Sequence, residues 1–250
     1  MSAPFERFGS PRLHLRTTGS TNELARALAE AGAPDGALVS CDLQSAGRGR
    51  SGRGWESPDG AALLASFVLR GVDRAPRLLA LAVPLAVCEA IERCGGPQAR
   101  VKWPNDVWIE GGKAAGILIE ARPPEWAVLG IGVNVTGFPD QAGLRWPAAA
   151  TGGSVEALLS ALCPSLGRWC EASEDRIREA FSRRDALSGR RVGWEGARGG
   201  RGTAAGIDAD GRLLVETDAG ETTSLTAGEV SLQLGDTVAG ALRPGARTPI

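Results

Sequence analysis

Residues 100–135 read RVKWPNDVWIEGGKAAGILIEARPPEWAVLGIGVNV, and this stretch decides the fold. Arg100 to Trp103 and Val107 to Glu110 are short apolar runs on either side of a Pro-Asn-Asp corner. Gly111-Gly112 then predicts a two-residue hairpin turn into a strand from Ala114 to Glu120. Trp126 to Val135 is close to continuously apolar, as a strand buried on both faces must be. Consecutive strands joined by tight corners call for antiparallel pairing. The same corner and hairpin would bring Lys102, Asp106 and Lys113 to one region of a sheet.

Upstream, Ser20-Thr21-Asn22-Glu23 has the S-x-x-E form of a capping box. It predicts a helix with Leu24, Ala27, Leu28 and Ala31 on one face, ended by Gly32 and Pro34. Ala37 to Asp42 and Ala61 to Leu69 read as buried strands. Between them QSAGRGRSGRGW, residues 44–55, has no period and must be a loop. Ala75 to Cys94 predicts a long helix with Leu78, Leu81, Leu85, Cys88 and Ile91 toward a core. Two more helices are expected near Val155 to Cys170 and Glu174 to Arg184, with Ser154 and Ser173 as N-caps. Together these make an α+β fold, a mixed or antiparallel sheet layered with helices. After about Ala186 short strands alternate with the turns GARGG, DADG, DAGE and TAGE, as in a small β-barrel. The expected organisation is a main domain over residues 1–185, a β domain over 186–235 and a flexible Gly/Pro/Ala tail over 236–250.

Composition narrows the function. The chain has 250 residues, is 43% hydrophobic and 23% charged, and carries a net charge of −1. That offers no global field for nucleic acid or an anionic membrane. Five cysteines without CxxC spacing fit reduced thiols in a cytoplasmic protein better than disulfides or a structural metal. One histidine, His14, leaves no material for a His-based metal centre or a Ser-His-Asp triad, and it reads as a strand or surface residue. No segment is a signal peptide or a membrane span.

Of 28 basic residues only Lys102 and Lys113 are lysine; asparagine occurs three times, at Asn22, Asn105 and Asn134, and tyrosine never. A chain that uses arginine nearly everywhere keeps lysine where a compact ammonium is required. The 44–55 loop holds Gly47, Gly49, Gly52 and Gly54 with Arg48, Arg50 and Arg53. Glycine lets backbone N–H groups approach an anion, and arginine supplies a planar fork of donors. An anionic substrate suits the loop; a solvated loop or an RNA-binding Arg-Gly segment are the alternatives.

STN, QxxGRGRxGRxW, KWPND, KxxGIL and GIGxNV, in this order over residues 20–136, resemble the biotin–protein ligases. GRRV and GIDADGRLLV extend the resemblance more weakly into the C-terminal region. The resemblance implies a class II synthetase-like catalytic domain followed by an SH3-like barrel. It implies two half-reactions: biotin attacks ATP to give biotinyl-5′-AMP and pyrophosphate, and a lysine of a biotin carboxyl carrier domain then displaces AMP.

By that resemblance Ser20, Thr21, Asn22, Gln44 and Gly116 line the biotin pocket. Arg48, Gly49 and Arg50 clamp carboxylate and α-phosphate, and Lys113 bridges the two. Trp55 stacks on the adenylate, while Asn105 and Asn134 serve the nucleotide. Asp106 places Mg²⁺ and later faces the incoming lysine. The resemblance leaves the role of Lys102 open. Only 19 residues precede the first motif, so a ligase without the DNA-binding domain of bifunctional members is expected, and a homodimer is compatible with it. A lipoate–protein ligase or octanoyltransferase is the nearest alternative, and an RNA-binding module the alternative of another kind.

Overall fold

The computed structural model describes residues 7–72, 76–139, 146–195, 199–226 and 232–234. The chain divides into two compact units, Met1–Ala186 and Leu187–Ile250.

The first unit is built on a seven-stranded sheet. Its strands are β1 (Arg12–Thr18), β2 (Leu38–Gln44), β3 (Ala62–Arg70), β4 (Arg100–Lys102), β5 (Asp106–Ile109), β6 (Gly112–Arg122) and β7 (Trp126–Asn134). They lie in the order β1-β2-β3-β7-β6-β5-β4, so the apolar β7 is central, as its composition predicts. Only β1 and β2 pair in parallel, which makes the sheet mixed.

Among the described residues the unit also has α1 (Thr21–Glu30), α2 (Pro76–Arg93), α3 (Val155–Cys170) and α4 (Glu174–Arg184). On one face of the sheet Ala25 and Ala29 of α1 pack against Val39, Val68, Val128 and Trp126. The opposite face, with Leu63, Ala65 and Phe67 of β3, lies under α2 and α3. Leu78, Leu81, Leu85, Cys88 and Ile91 of α2 are all buried, which bears out the helical period. Ser154 and Ser173 cap α3 and α4 by accepting from the N–H groups of Ala157 and Arg176.

Three local readings change. The tight turn is Glu110-Gly111, not Gly111-Gly112: both residues have positive φ (49° and 82°), and Ile109 pairs with Gly112. That is the requirement of a type I′ turn. In α1 the buried stripe runs through Ala25 and Ala29, while Ala27 is exposed. Small side chains let the helix sit close to the sheet, with Leu24 and Leu28 flanking. The capping box does not form, because the Ser20 side chain makes no cap hydrogen bond and the Glu23 carboxylate is engaged by Arg48.

The second unit has five strands: β8 (Arg191–Trp194), β9 (Gly200–Ile207), β10 (Leu213–Thr217), β11 (Thr222–Leu225) and β12 (Leu232–Leu234). They form one antiparallel sheet in the order β11-β10-β9-β8-β12. In the DADG turn Asp208 Oδ1 accepts from the N–H groups of Asp210 and Arg212. The expected tail over 236–250 lies outside the described residues.

Candidate active site

Parity along the central strands builds the site. On the α1 face, Leu64 of β3, Gly132 of β7, Gly116 of β6 and Asp106 of β5 stand side by side in one row. The next row is Ser66, Gly130 and Leu118. Two adjacent glycines in the first row leave a trough across the sheet, and the indole of Trp55 fills it. A Cβ on Gly132 would stand 2.5 Å from Trp55 Cε2, and one on Gly116 2.9 Å from Trp55 Cζ3. Gly130 makes the same allowance for Asn22, whose Oδ1 would lie 1.9 Å from a Cβ there. Glycine inside a strand thus marks a close approach.

Lys113 reaches this face through an irregularity. Three residues before Gly116, it would point to the opposite side of a regular strand. The register shifts between Val107, paired with Ala115, and Trp108, paired with Lys113, so Ala114 is an extra residue. Such a bulge re-aims a side chain. Lys113 Nζ lies 2.7 Å from Asp106 Oδ1 and 5.6 Å from the centre of the Trp55 ring. The main chain of Lys113 is fixed by the segment beyond residue 145: its N–H donates to Pro147 O (2.7 Å), and its C=O accepts from Ala149 N–H (3.0 Å).

The glycine-rich loop covers the trough as an ordered hairpin. Gly49 N–H donates to Arg53 O (2.7 Å) and Trp55 N–H to Gly47 O (3.0 Å). Arg48 binds Glu23 of α1, and Arg50 Nη1 donates to Asn105 Oδ1 at 2.8 Å. Asn105 is held in turn by β6, donating to Ile117 O and accepting from Ile117 N–H. Burial lowers the pKa of the Arg50 guanidinium; Asp106 opposes the shift and Arg53 adds to it. A guanidinium cannot relieve that cost by losing its proton, so an anion is the favourable addition.

Together these parts line an open cleft. Its cationic side chains are Arg48, Arg50, Arg53 and Lys113, and its one carboxylate is Asp106. The other end is neutral and polar. Thr21 N–H and Oγ1 meet Gln44 Oε1 at 2.8 and 3.1 Å, and Ser66 Oγ contacts Thr21 Oγ1 at 2.8 Å and Asn22 Oδ1 at 2.7 Å. Asn22 Nδ2 donates to Glu120 Oε2 at 2.9 Å, which fixes its amide orientation. Among the described residues the buried indole Nε1 of Trp55 has no hydrogen-bond partner.

Of the residues singled out from the sequence, Thr21, Asn22, Gln44, Arg48, Gly49, Arg50, Trp55, Asn105, Asp106, Lys113 and Gly116 all line this cleft. Ser20, Lys102 and Asn134 do not. Ser20 is buried at the start of α1. Asn134 donates to Lys113 O (3.3 Å) and Ala149 O (3.1 Å), so its place is behind the site, tying the segment around residue 149 to the lysine strand. Its Oδ1 is buried and has no hydrogen-bond partner among the described residues. Asp106 also departs from expectation: its two oxygens face Lys113 (2.7 Å) and Lys102 (3.8 Å). A carboxylate between two ammonium groups does not suit a divalent cation unless one of them moves away. His14 lies on β1 with Ser40 and Asp42, outside the cleft. Gly130, Gly132 and Ser66 were missed. The glycines were legible as an i, i+2 pair in a strand, and Ser66 as a lone hydroxyl in the apolar run ALLASFVLR.

Residues 15–135 match the model of the biotin/lipoate A/B protein ligase family, and residues 188–233 match that of the biotin protein ligase C-terminal domain. A biotin–[acetyl-CoA-carboxylase] ligase of Paracoccus denitrificans is 39% identical over 230 residues, covering 82% of this chain and 94% of its own. The chain belongs to the biotin protein ligase family. A biotin protein ligase from Aquifex aeolicus, solved with biotin and ATP, has the same fold with a TM-score of 0.76 at 27% identity, covering 91% of this chain and all of its own. A bifunctional ligase/repressor of Bacillus spizizenii is 39% identical over 147 residues, and this chain spans 45% of its length. No helix among the described residues is long and apolar enough to cross a membrane.

Proposed function

We propose that this protein activates biotin with ATP to give biotinyl-5′-AMP and pyrophosphate, then transfers biotin to a lysine of a biotin carboxyl carrier domain. The observation that carries the reading is the polarity of the cleft. A neutral hydrogen-bonding end formed by Thr21, Gln44 and the Asn22–Ser66 pair is joined by an apolar floor, Leu64, Trp55 and Leu118, to a cationic end. Biotin has that sequence of parts: a ureido head that donates and accepts, an apolar body and a carboxylate. Buried polar partners reject analogues that lack the matching groups far more strongly than an apolar slot does.

The first half-reaction brings a carboxylate against a polyphosphate, and repulsion between anions is the main barrier. Arg50 and Lys113, preorganised by Asn105 and Asp106, meet that charge without reorganising during the reaction. Lys113 has one N–H on Asp106 and two left for substrate oxygens. The Gly49 N–H is already given to Arg53 O, so a direct contact from it would require the loop to open. Trp55 and the loop shield the mixed anhydride from water. In the second half-reaction Asp106 would orient the incoming lysine or accept a proton from it. Magnesium, where it takes part, would enter on the nucleotide phosphates rather than on Asp106. The region over 186–235 is proposed to fold as an SH3-like barrel on its five antiparallel strands.

The anchored loop argues against a free Arg-Gly segment that binds RNA. The deciding experiment is mass spectrometry of a carrier domain incubated with the protein, ATP and either biotin or lipoate. Addition of biotin alone supports the proposal. Addition of lipoate instead, or no addition, refutes it.

A further inference from the structure

Lys102 is the last residue of β4, is 5% exposed and does not line the cleft. It stands directly opposite Asp106 across the β4–β5 pair. Its ammonium lies 4.8 Å from the ring centre of Trp146 and 5.7 Å from that of Trp108. The two indoles meet edge to face at 5.5 Å and 62°, so they form two walls around it. On another side is Asp106 Oδ2 at 3.8 Å, while Oδ1 of the same carboxylate holds Lys113 at 2.7 Å.

We infer that Lys102 is a positioning residue that acts through Asp106 to leave Lys113 available to an anion. This rests on the proposed ligase reading. In the ligand-free site Asp106 has two effects on an incoming phosphate or carboxylate. It holds the ammonium the anion needs, and it repels the anion directly. A second, buried ammonium offsets the carboxylate charge and fixes its orientation, so Lys113 can give its two remaining N–H groups to substrate while Asp106 stays compensated in the interior. The indole walls keep that ammonium in place, and cation–π attraction recovers part of what it loses on leaving water. They also explain why this position keeps lysine in a chain dominated by arginine. A compact tetrahedral ammonium fits between two indole rings and a carboxylate where a broad planar guanidinium would have to displace one of them. Trp146 begins the segment whose Pro147 and Ala149 fix the main chain of Lys113, so the box and the catalytic strand are braced together.

The test is calorimetric binding of inorganic pyrophosphate to the full chain in a double-mutant cycle. Lys102→Met should weaken binding by about tenfold, roughly a third of what Coulomb's law allows at 3.8 Å with an effective dielectric near 20. Asp106→Asn removes the competing carboxylate and should bind pyrophosphate at least as well as the unmodified protein. The double variant should bind like Asp106→Asn alone, because the effect of Lys102 is exerted on Asp106. An equal loss from Lys102→Met in both backgrounds, or none in either, overturns the inference. So does an unmodified protein that binds no pyrophosphate at millimolar concentration. If Lys102→Met does not fold, Trp146→Leu opens one wall, keeps the charge and should show the same dependence on Asp106. An unmodified protein that shows this pattern yet releases no pyrophosphate from biotin and ATP refutes the ligase reading and leaves the role of Lys102 standing.

Discussion

Replacing Gly132 by alanine tests the trough with a single methyl group. Gly132 lies in the central strand, and its ideal Cβ would stand 2.5 Å from Trp55 Cε2 and 2.8 Å from Cζ2 and Nε1. Ordinary carbon contacts begin near 3.5 Å, so the indole must retreat by about 1 Å. Trp55 belongs to a half-buried loop, so the retreat costs the fold little. Removing a glycine from a strand interior favours the folded state by about 0.5–1 kcal/mol, which offsets much of the loss. The net change in stability should fall within about 1 kcal/mol, or roughly 2–4 °C in Tm for a domain of this size. The reaction is more sensitive. A misplacement of this size at a positioned group costs on the order of 10²-fold in rate, about 2.7 kcal/mol. The assay is pyrophosphate release from biotin and ATP beside a thermal melt. Gly137→Ala serves as control, because a Cβ there meets nothing closer than 3.5 Å and the residue lies off the cleft. A Gly132→Ala protein that melts normally and reacts within about threefold of the unmodified rate would show that Trp55 does not need its seat on the glycine row.

Other expectations follow from the same geometry. Lys113→Arg should fold normally yet lower adenylate formation by at least about tenfold, since a guanidinium cannot occupy the place of a compact ammonium 2.7 Å from Asp106; unchanged pyrophosphate release would refute it. Ser66→Ala should raise the KM for biotin by about tenfold at a stability cost of about 1–2 kcal/mol, because Ser66 Oγ orients both Thr21 and Asn22; steady-state kinetics and a denaturant titration check both halves. Burial pushes the Cys41 thiol from 9.0 up to about 11 and the Cys88 thiol to about 12. The unfolded chain then loses thiol protons more readily than the folded one above pH 9. This part of the stability is intact below that pH and should decline from pH 9 toward 11, as melts in a pH series would show; a Cys41→Ala, Cys88→Ala protein should have the shallower decline.

The elements set by uninterrupted periodicity were legible from the sequence: α2 with its buried Leu78–Ile91 stripe, α3 and α4 with their serine caps, and the all-apolar β7. Their information is local, and no partner outside the element can move it. What could not be read depends on pairing. The half-exposed β1 has no apolar face to announce it and exists as a strand because β2 supplies its ladder. The bulge at Ala114 is likewise a property of two strands, yet it decides that Lys113 faces the cleft. Glu23 has the spacing of a cap residue, but an arginine arriving from residue 48 engages its carboxylate instead.

The five scarce residues illustrate the same division. Rarity identified positions where lysine or asparagine could not be exchanged, but it carried no information about which side of the sheet each one serves. Lys113, Asn105 and Asn22 line the cleft; Asn134 and Lys102 stand outside it. Asn134 donates from one amide nitrogen to the carbonyls of Lys113 and Ala149, a span that neither a hydroxyl nor a carboxylate could bridge as donor. Lys102 offers a charge narrow enough for the indole box. Both converge on Lys113, one through its main chain and one through the carboxylate that holds its ammonium. A side chain placed by a bulge, where the strand ladder no longer constrains it, requires support of this kind. The scarcity therefore marks two asparagines and a lysine that line the cleft, together with two residues that support that lysine from outside it.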